Sequence, residues 1–346
     1  MSLHAKELFH SNFLAWLGLD EELRPIFINA MRAMGFSTNR WPVDFRVERE
    51  KDNFDLLVTS VDGSKWYAVI ENKVKSIPSE EQLKRYDSKI QKRLKEETCQ
   101  KRLLSIDNGI ESPDAEWPVA TYGMITQALR QHLPTDERAN EYKYSLIRDY
   151  IEMTDSLVEI GSSLTAKESD PFLMTTLPEW EEICKLRLHD LFGKRRMAVL
   201  CRALNEQLGL HDNPFKPGYT SGGAIMETGF EINGTRCGIQ IEGAQYRHFI
   251  MTDVTKSVPP AIAERRFLLD TMDGFRKEMG KNHPRTFIFK EVSGNAKKDY
   301  CSYVNKKAEK GESVFLYQYA VIGPDTTVGQ LKAAIEADLR KYSTMA

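Results

Sequence analysis

Long apolar runs, paired cysteines and an excess of charge of either sign are all missing from this chain of 346 residues. Each absence removes a class of function. No apolar stretch approaches the ~20 residues that a membrane-crossing helix requires. The opening residues show no basic stretch leading into an apolar core, so no secretion signal is expected and the cytoplasm is the expected compartment. The five cysteines, at positions 99, 184, 201, 237 and 301, form no C-x-x-C pair. That pattern suits reduced thiols better than a disulfide frame or a zinc cluster. The seven histidines include no H-x-x-x-H spacing, which argues against zinc hydrolase chemistry. With a net charge of −2, any polynucleotide partner must be met by a local basic face.

What is present is a soluble-type composition, 41% apolar and 28% charged, at about twice the usual single-domain length, so two domains are expected. Leu8, Phe9, Phe13, Trp16 and Leu17 recur at helical intervals, and a second helix is expected from Glu21 to Met34. The period then becomes two: Val43, Phe45 and Val47, then Phe54, Leu56 and Val58, then Trp66, Ala68 and Ile70 after Asp62-Gly63. Three antiparallel strands are expected there. Ser79 opens a capping box, "SEEQ", before a helix striped by Leu83, Tyr86, Ile90 and Leu94. A strand from Val119 through "VATYGMITQ" and a helix from about Glu137 to Ile160 follow. The polar segment Gly161 to Pro171 marks the boundary between domains at 1–160 and 171–346. The second half reads as an independent α+β domain. A helix over Leu177 to Leu208 precedes a three-stranded meander with Asn233-Gly234 at one turn, and further strands are expected at "RTFIFK" and "SVFLYQYAVI" before a final helix.

Asp55, Glu71 and Lys73 interrupt the apolar strands, and hairpin parity decides whether they meet. Glu71 and Lys73 share one face of their strand. A two-residue Asp62-Gly63 turn would point Asp55 away from them. A three-residue loop closing Ser60 on Ser64 makes paired numbers sum to an even value and sets Asp55 opposite Val69, one step from Glu71. Only the even register collects Phe54, Leu56, Val58, Trp66, Ala68 and Ile70 on one buried face, so it is the expected one. Two converging, partly buried carboxylates repel each other unless a cation joins them. Hard divalent ions suit one or two carboxylates, a backbone carbonyl and waters. Such an ion lowers the pKa of a bound water and neutralises charge growing on a phosphate, while Lys73 could hold that water.

The segments "FDLLV", "AVIENKV" and "QLKRY", with the opening "ELFHSNFLAWL", resemble the PD-(D/E)XK nuclease superfamily, in particular a bacterial branch carrying "ENK" and "Q-L-x-x-Y". The resemblance covers roughly the first 160 residues; Phe54 stands where the superfamily loosely keeps Pro. It implies a restriction-endonuclease-like αβββαβ core, a mixed sheet flanked by helices, ahead of the separate C-terminal α+β domain. By resemblance Asp55 and Glu71 are metal ligands with the Asn72 carbonyl as a third, Lys73 is the catalytic lysine, and Gln82 and Tyr86 lie on the supporting helix. Glu7 matches a first-helix acid that approaches the metal in some members, accompanied by His10 and Ser11. The implied activity is that of a Mg²⁺- or Mn²⁺-dependent deoxyribonuclease acting on DNA, with no membrane partner.

Plainer readings stand beside these. Glu141-Tyr142-Lys143 is another E-x-K triplet, and its helical setting makes it a surface ion pair. Gln82 could only complete the capping box, Tyr86 could be a packed ring with a polar tip, and Glu7 and His10 could be surface positions of an amphipathic helix. Lys84, Arg85, Lys89, Lys92, Arg93 and Lys95 lie on the helix beside the acidic residues, where a nucleic-acid backbone would approach. The basic run Lys185 to Arg202 reads as helix solvation slightly ahead of phosphate contact. "GYTSGGA", Gly218 to Ala224, is either a binding loop or a turn. The C-terminal domain is expected to serve substrate recognition or dimerisation. The rival function is a non-catalytic nucleic-acid-binding or regulatory protein of a defence or mobile-element system.

Overall fold

The computed structural model describes residues 7–37, 44–61, 66–74, 79–94, 98–106, 112–136, 141–164, 167–210, 214–220, 223–232, 235–253, 301–305 and 313–343. The chain divides into two compact units. The first comprises Met1–Leu164 with Leu186–Arg195, and the second Thr165–Lys185 with Arg196–Ala346.

The first unit is a mixed five-stranded sheet with helices on both faces. Its strands are β1 (Phe45–Arg49), β2 (Leu56–Ser60), β3 (Trp66–Lys73), β4 (Thr98–Ser105) and β5 (Val119–Thr121), in that spatial order. The first three pair antiparallel and the last three parallel. Helices α1 (Glu7–Leu19) and α2 (Arg24–Ala33) precede the sheet, α3 (Glu80–Leu94) crosses from β3 to β4, and α4 (Tyr122–Gln131) and α5 (Tyr142–Ser163) follow β5. Helix α1 lies against β1 and β3. Gly18 permits that approach, because a Cβ there would sit 2.7 Å from Val47 Cγ2. On the opposite face, Leu57, Val69, Leu83, Tyr86, Ile90, Leu103 and Trp117 form a core under α3.

In this unit three expectations need correction. The even parity of the β2–β3 hairpin holds, but Leu56 pairs with Ile70 and Thr59 with Tyr67. The loop is therefore two residues longer than the Ser60–Ser64 closure, and Asp55 stands opposite Glu71 rather than Val69. Phe54 leaves the Leu56/Val58 face and joins the core under α3. A turn with left-handed backbone at Glu50, Asp52 and Asn53 reorients the chain just before it. The strand from Val119 ends at Thr121, where α4 begins. Its buried Tyr122, Ile125, Thr126 and Leu129 recur at helical rather than strand spacing.

The second unit carries a six-stranded antiparallel sheet ordered β10-β11-β9-β8-β7-β6. Its strands are β6 (Lys216–Thr220), β7 (Gly223–Ile232), β8 (Thr235–Glu242), β9 (Gln245–Asp253), β10 (Cys301–Asn305) and β11 (Ser313–Val321). The expected meander is β7–β9; of "GYTSGGA", residues 218–220 fall on β6 and 223–224 on β7, while Ser221 and Gly222 lie outside the described residues. Gly238 admits the close backbone of β7, since a Cβ would lie 2.0 Å from the Thr228 carbonyl oxygen. The expected helix over 177–208 is two helices, α6 (Trp180–Lys185) and α7 (His189–Leu208), broken where Arg187 adopts φ 57°. Met197, Leu200, Cys201 and Leu204 of α7 pack with Ile239, Ile241, Tyr246 and the final helix α8 (Val328–Ser343). The strand expected at "RTFIFK", the turns at Asp62-Gly63 and Asn233-Gly234, and Lys95 lie outside the described residues.

Candidate functional site

The acidic residues converge because of the pairing just described. β2 and β3 run antiparallel, so Asp55, one residue before β2, meets the carboxyl end of β3. The Asn72 backbone N–H donates to Asp55 Oδ2 at 2.7 Å. Glu71 and Lys73 project toward α3 and are almost wholly buried, each 4% exposed. There Glu71 Oε1 accepts three hydrogen bonds, from Lys73 Nζ at 2.8 Å, Gln82 Nε2 at 3.0 Å and the Tyr86 hydroxyl at 3.1 Å. Lys73 Nζ also donates to Gln82 Oε1 at 3.0 Å, so Gln82 clasps both ends of the Glu71–Lys73 pair.

Only half of the capping box forms. Ser79 Oγ accepts from the Gln82 N–H at 3.2 Å, but the Gln82 side chain turns to the site instead of reaching back. Tyr86 fulfils both readings. Its ring packs edge-on to Phe54, 5.4 Å between centroids, and its hydroxyl reaches Glu71.

Asn72 faces the other way and ties the site to α1. Its side-chain amide donates to the Glu7 carbonyl at 2.8 Å, and its Oδ1 accepts from the Tyr122 hydroxyl at 2.7 Å. Ser11 Oγ lies 3.4 Å from the same amide nitrogen. His10 is buried behind this contact, its Nδ1 3.0 Å from the Tyr150 hydroxyl and its ring 4.7 Å from that of Tyr122. His10 therefore braces the helix rather than lining the acidic end. Glu7 is held by this contact at the start of α1, and its charge is felt by both site carboxyls.

The electrostatics are those of an under-neutralised acidic pair. Burial, then the neighbouring Glu71, push the Asp55 carboxyl up to about 7, against the opposing pull of the Asn72 N–H. Burial also raises Glu71, partly offset by Lys73 and by hydrogen bonds from Lys73 and Tyr86. Glu71 Oε2 is buried and has no hydrogen-bond partner among the described residues. An orphaned carboxylate oxygen beside a second, unhappily ionised carboxyl is the arrangement that a hard divalent cation relieves. Among the described residues no three His, Cys, Asp or Glu side chains form a ready metal cage. A cation here would complete its shell from backbone carbonyl oxygen and waters.

The surrounding basic residues divide. On α3, Lys84 pairs with Glu80, Arg85 and Lys92 are exposed, and Lys89 donates to the Asp52 carbonyl. The side chain of Arg93 lies outside what the structure describes. Of the run from Lys185 to Arg202, Arg195 and Arg196 are buried, against the expectation of helix solvation. Glu141 and Lys143 do pair at 3.5 Å.

Strand β4 escaped the sequence reading, and with it Ser105, which stands beside Lys73 in the sheet. Its run "TCQKRLLS" hides the strand period because Lys101 and Arg102 are satisfied by tertiary partners. Lys101 binds Asp87 and Glu116, and Arg102 caps the Met34 and Gly35 carbonyls.

No curated protein and no solved structure matches the chain. The model of one family does match: residues 1–165 are similar to the PD-(D/E)XK nuclease superfamily.

Proposed function

We propose that the chain is a divalent-metal-dependent nuclease that hydrolyses DNA phosphodiester bonds at the end of β3. The observation that carries this reading is the juxtaposition of Asp55 with Glu71, one bound by the Asn72 N–H and the other by Lys73. Asp55 Oδ1, Glu71 Oε2 and the Asn72 carbonyl oxygen would hold Mg²⁺ or Mn²⁺, and Glu7 would contribute charge from α1. A cation so held lowers the pKa of a bound water and neutralises the phosphate.

The protein groups do the positioning. Lys73 spends two N–H donors on Glu71 and Gln82, leaving a third to orient the attacking water or to meet charge developing on a phosphate oxygen. Gln82 and Tyr86 fix the Glu71 carboxylate through its Oε1, so that only Oε2 faces a ligand. In the reaction the water oxygen bonds to phosphorus, the bond from phosphorus to the leaving sugar oxygen breaks, and a proton from water passes to that oxygen. The second unit would select substrate or join two copies of the chain.

The test is incubation of the full chain with plasmid and oligonucleotide DNA in Mg²⁺ or Mn²⁺, beside Asp55→Ala and Lys73→Ala. Wild type should cut, and each variant should lose on the order of 10²-fold or more while remaining folded. Undiminished cutting by Asp55→Ala refutes the assignment, as does a wild type inert with both metals.

A further inference from the structure

We infer that Arg195, thirty residues beyond the end of the family match at residue 165, is a phosphate-binding residue of the nuclease site. Arg195 lies within the stretch Leu186–Arg195 that folds with the first unit. It is 3% exposed, as closely enclosed as Glu71 and Lys73 at 4%. Its Nη1 and Nη2 both lie 3.3 Å from Ser105 Oγ. Ser105 is the last residue of β4 and pairs in register with Lys73 on β3 and Thr121 on β5.

The face is decided by the pleat. Leu103, two residues earlier on β4, belongs to the core under α3, so Ser105 points the same way and shares that face with Glu71 and Lys73. Neighbouring strands are ~4.8 Å apart. The guanidinium is therefore anchored one strand along from the lysine, at the carboxyl ends of parallel strands, where α/β sheets bind their ligands.

Charge is thus ordered across the sheet. Asp55 and Glu71 occupy the ends of β2 and β3, Lys73 stands at the end of β3, and Arg195 is held at the end of β4. A polynucleotide lying across these ends would place one phosphate at the carboxylates and a neighbouring one near Arg195. A guanidinium offers a fixed fork of donors that fits two phosphate oxygens. The basic run expected to solvate a helix instead supplies a cation to the site, and the following residue, Arg196, turns away to donate to the Pro171 carbonyl.

This inference rests on the nuclease reading, and one experiment separates the two. Binding of a fluorescein-labelled DNA duplex to the full chain is followed by anisotropy in EDTA across a range of salt concentrations, with thermal melting of each variant. Arg195→Gln should bind about five- to tenfold more weakly, and the slope of log K against log salt should shrink by about 0.9, the value of one phosphate contact. Arg195→Lys should keep the slope but bind several-fold more weakly, because an ammonium lacks the fork. Arg340→Gln, a charge removed from an exposed position of the second unit, should change neither. An unchanged slope in a folded Arg195→Gln, wild-type affinity in Arg195→Lys, or an equal drop in Arg340→Gln each overturns the inference. A wild type that binds no duplex in EDTA yet cuts it in Mg²⁺ or Mn²⁺ overturns the inference, and one that neither binds nor cuts overturns the nuclease reading itself.

Discussion

Each unit buries a carboxylate against its sheet, and the two are treated in opposite ways. In the second unit Asp338 of α8 is 0% exposed, and its Oδ2 accepts from the Tyr246 hydroxyl at 2.7 Å and lies 3.2 Å from His248 Nε2. Both partners come from one face of β9, so the carboxylate pins helix to sheet. In the first unit Glu71 receives three donors on a single oxygen and none of the described residues reaches the other, while Asp55 is pushed up to about 7. A buried carboxylate serving architecture is satisfied by the protein. One that is left short is poised for something from outside, and its residual cost is borne by the rest of the fold.

Breaking the architectural carboxylate should have the largest effect on stability. Asp338→Ala leaves the Tyr246 hydroxyl and His248 without their shared acceptor in a fully buried site. We expect a loss of roughly 3 kcal/mol, read from chemical denaturation of the full chain. A loss near zero would show that the two carboxylates are not as different as their bonding suggests.

The site carboxylate should behave in reverse. Because the Asp55 pKa is raised on folding from 3.8 to about 7, the folded metal-free protein binds a proton that the unfolded chain has released. That stabilising contribution is complete below pH about 4 and is lost as pH rises through about 7. Asp55→Asn should flatten this part of the stability profile and be more stable than wild type at pH 8 without metal, while losing cleavage. Parallel profiles for the two proteins would show that Asp55 is no less satisfied than Asp338.

The smallest effect concerns the brace between them in kind, a polar group that is satisfied yet serves the site. Tyr122→Phe strips the donor from Asn72 Oδ1, at a cost of about 1–2 kcal/mol. It should also weaken Mn²⁺ binding by roughly tenfold, measured calorimetrically. Loss of stability with unaltered Mn²⁺ affinity would make Asn72 an anchor for α1 alone.

Much of this site is legible in the amino-acid sequence. Asp55 and Glu71 are assigned to one face by the sequence because a strand has a strict period of two, and apolar Leu56, Val58, Ala68 and Ile70 admit only one pairing parity. The length of the loop did not follow, since parity is unchanged by two added residues. The helical stripe of α3 could be read from Leu83, Tyr86 and Ile90. Whether Gln82 capped its helix or gripped Glu71 could not, because both uses need the same residue at the same place. Strand β4 was hidden by Lys101 and Arg102, whose charges are acceptable in a sheet only because Asp87, Glu116 and the end of α2 fold beside them.

The amino-acid sequence determined periodicities, and through them the alternation that gathers two carboxylates and an ammonium at one strand end. Local geometry alone enforces that, so no distant residue is needed to infer it. Tertiary structure alone decided which oxygen of Glu71 is left over, that His10 is a brace, and that a guanidinium from residue 195 arrives beside Ser105. These depend on contacts between residues up to 140 positions apart, as between His10 and Tyr150. No periodicity encodes such contacts, because they arise only when separate elements pack.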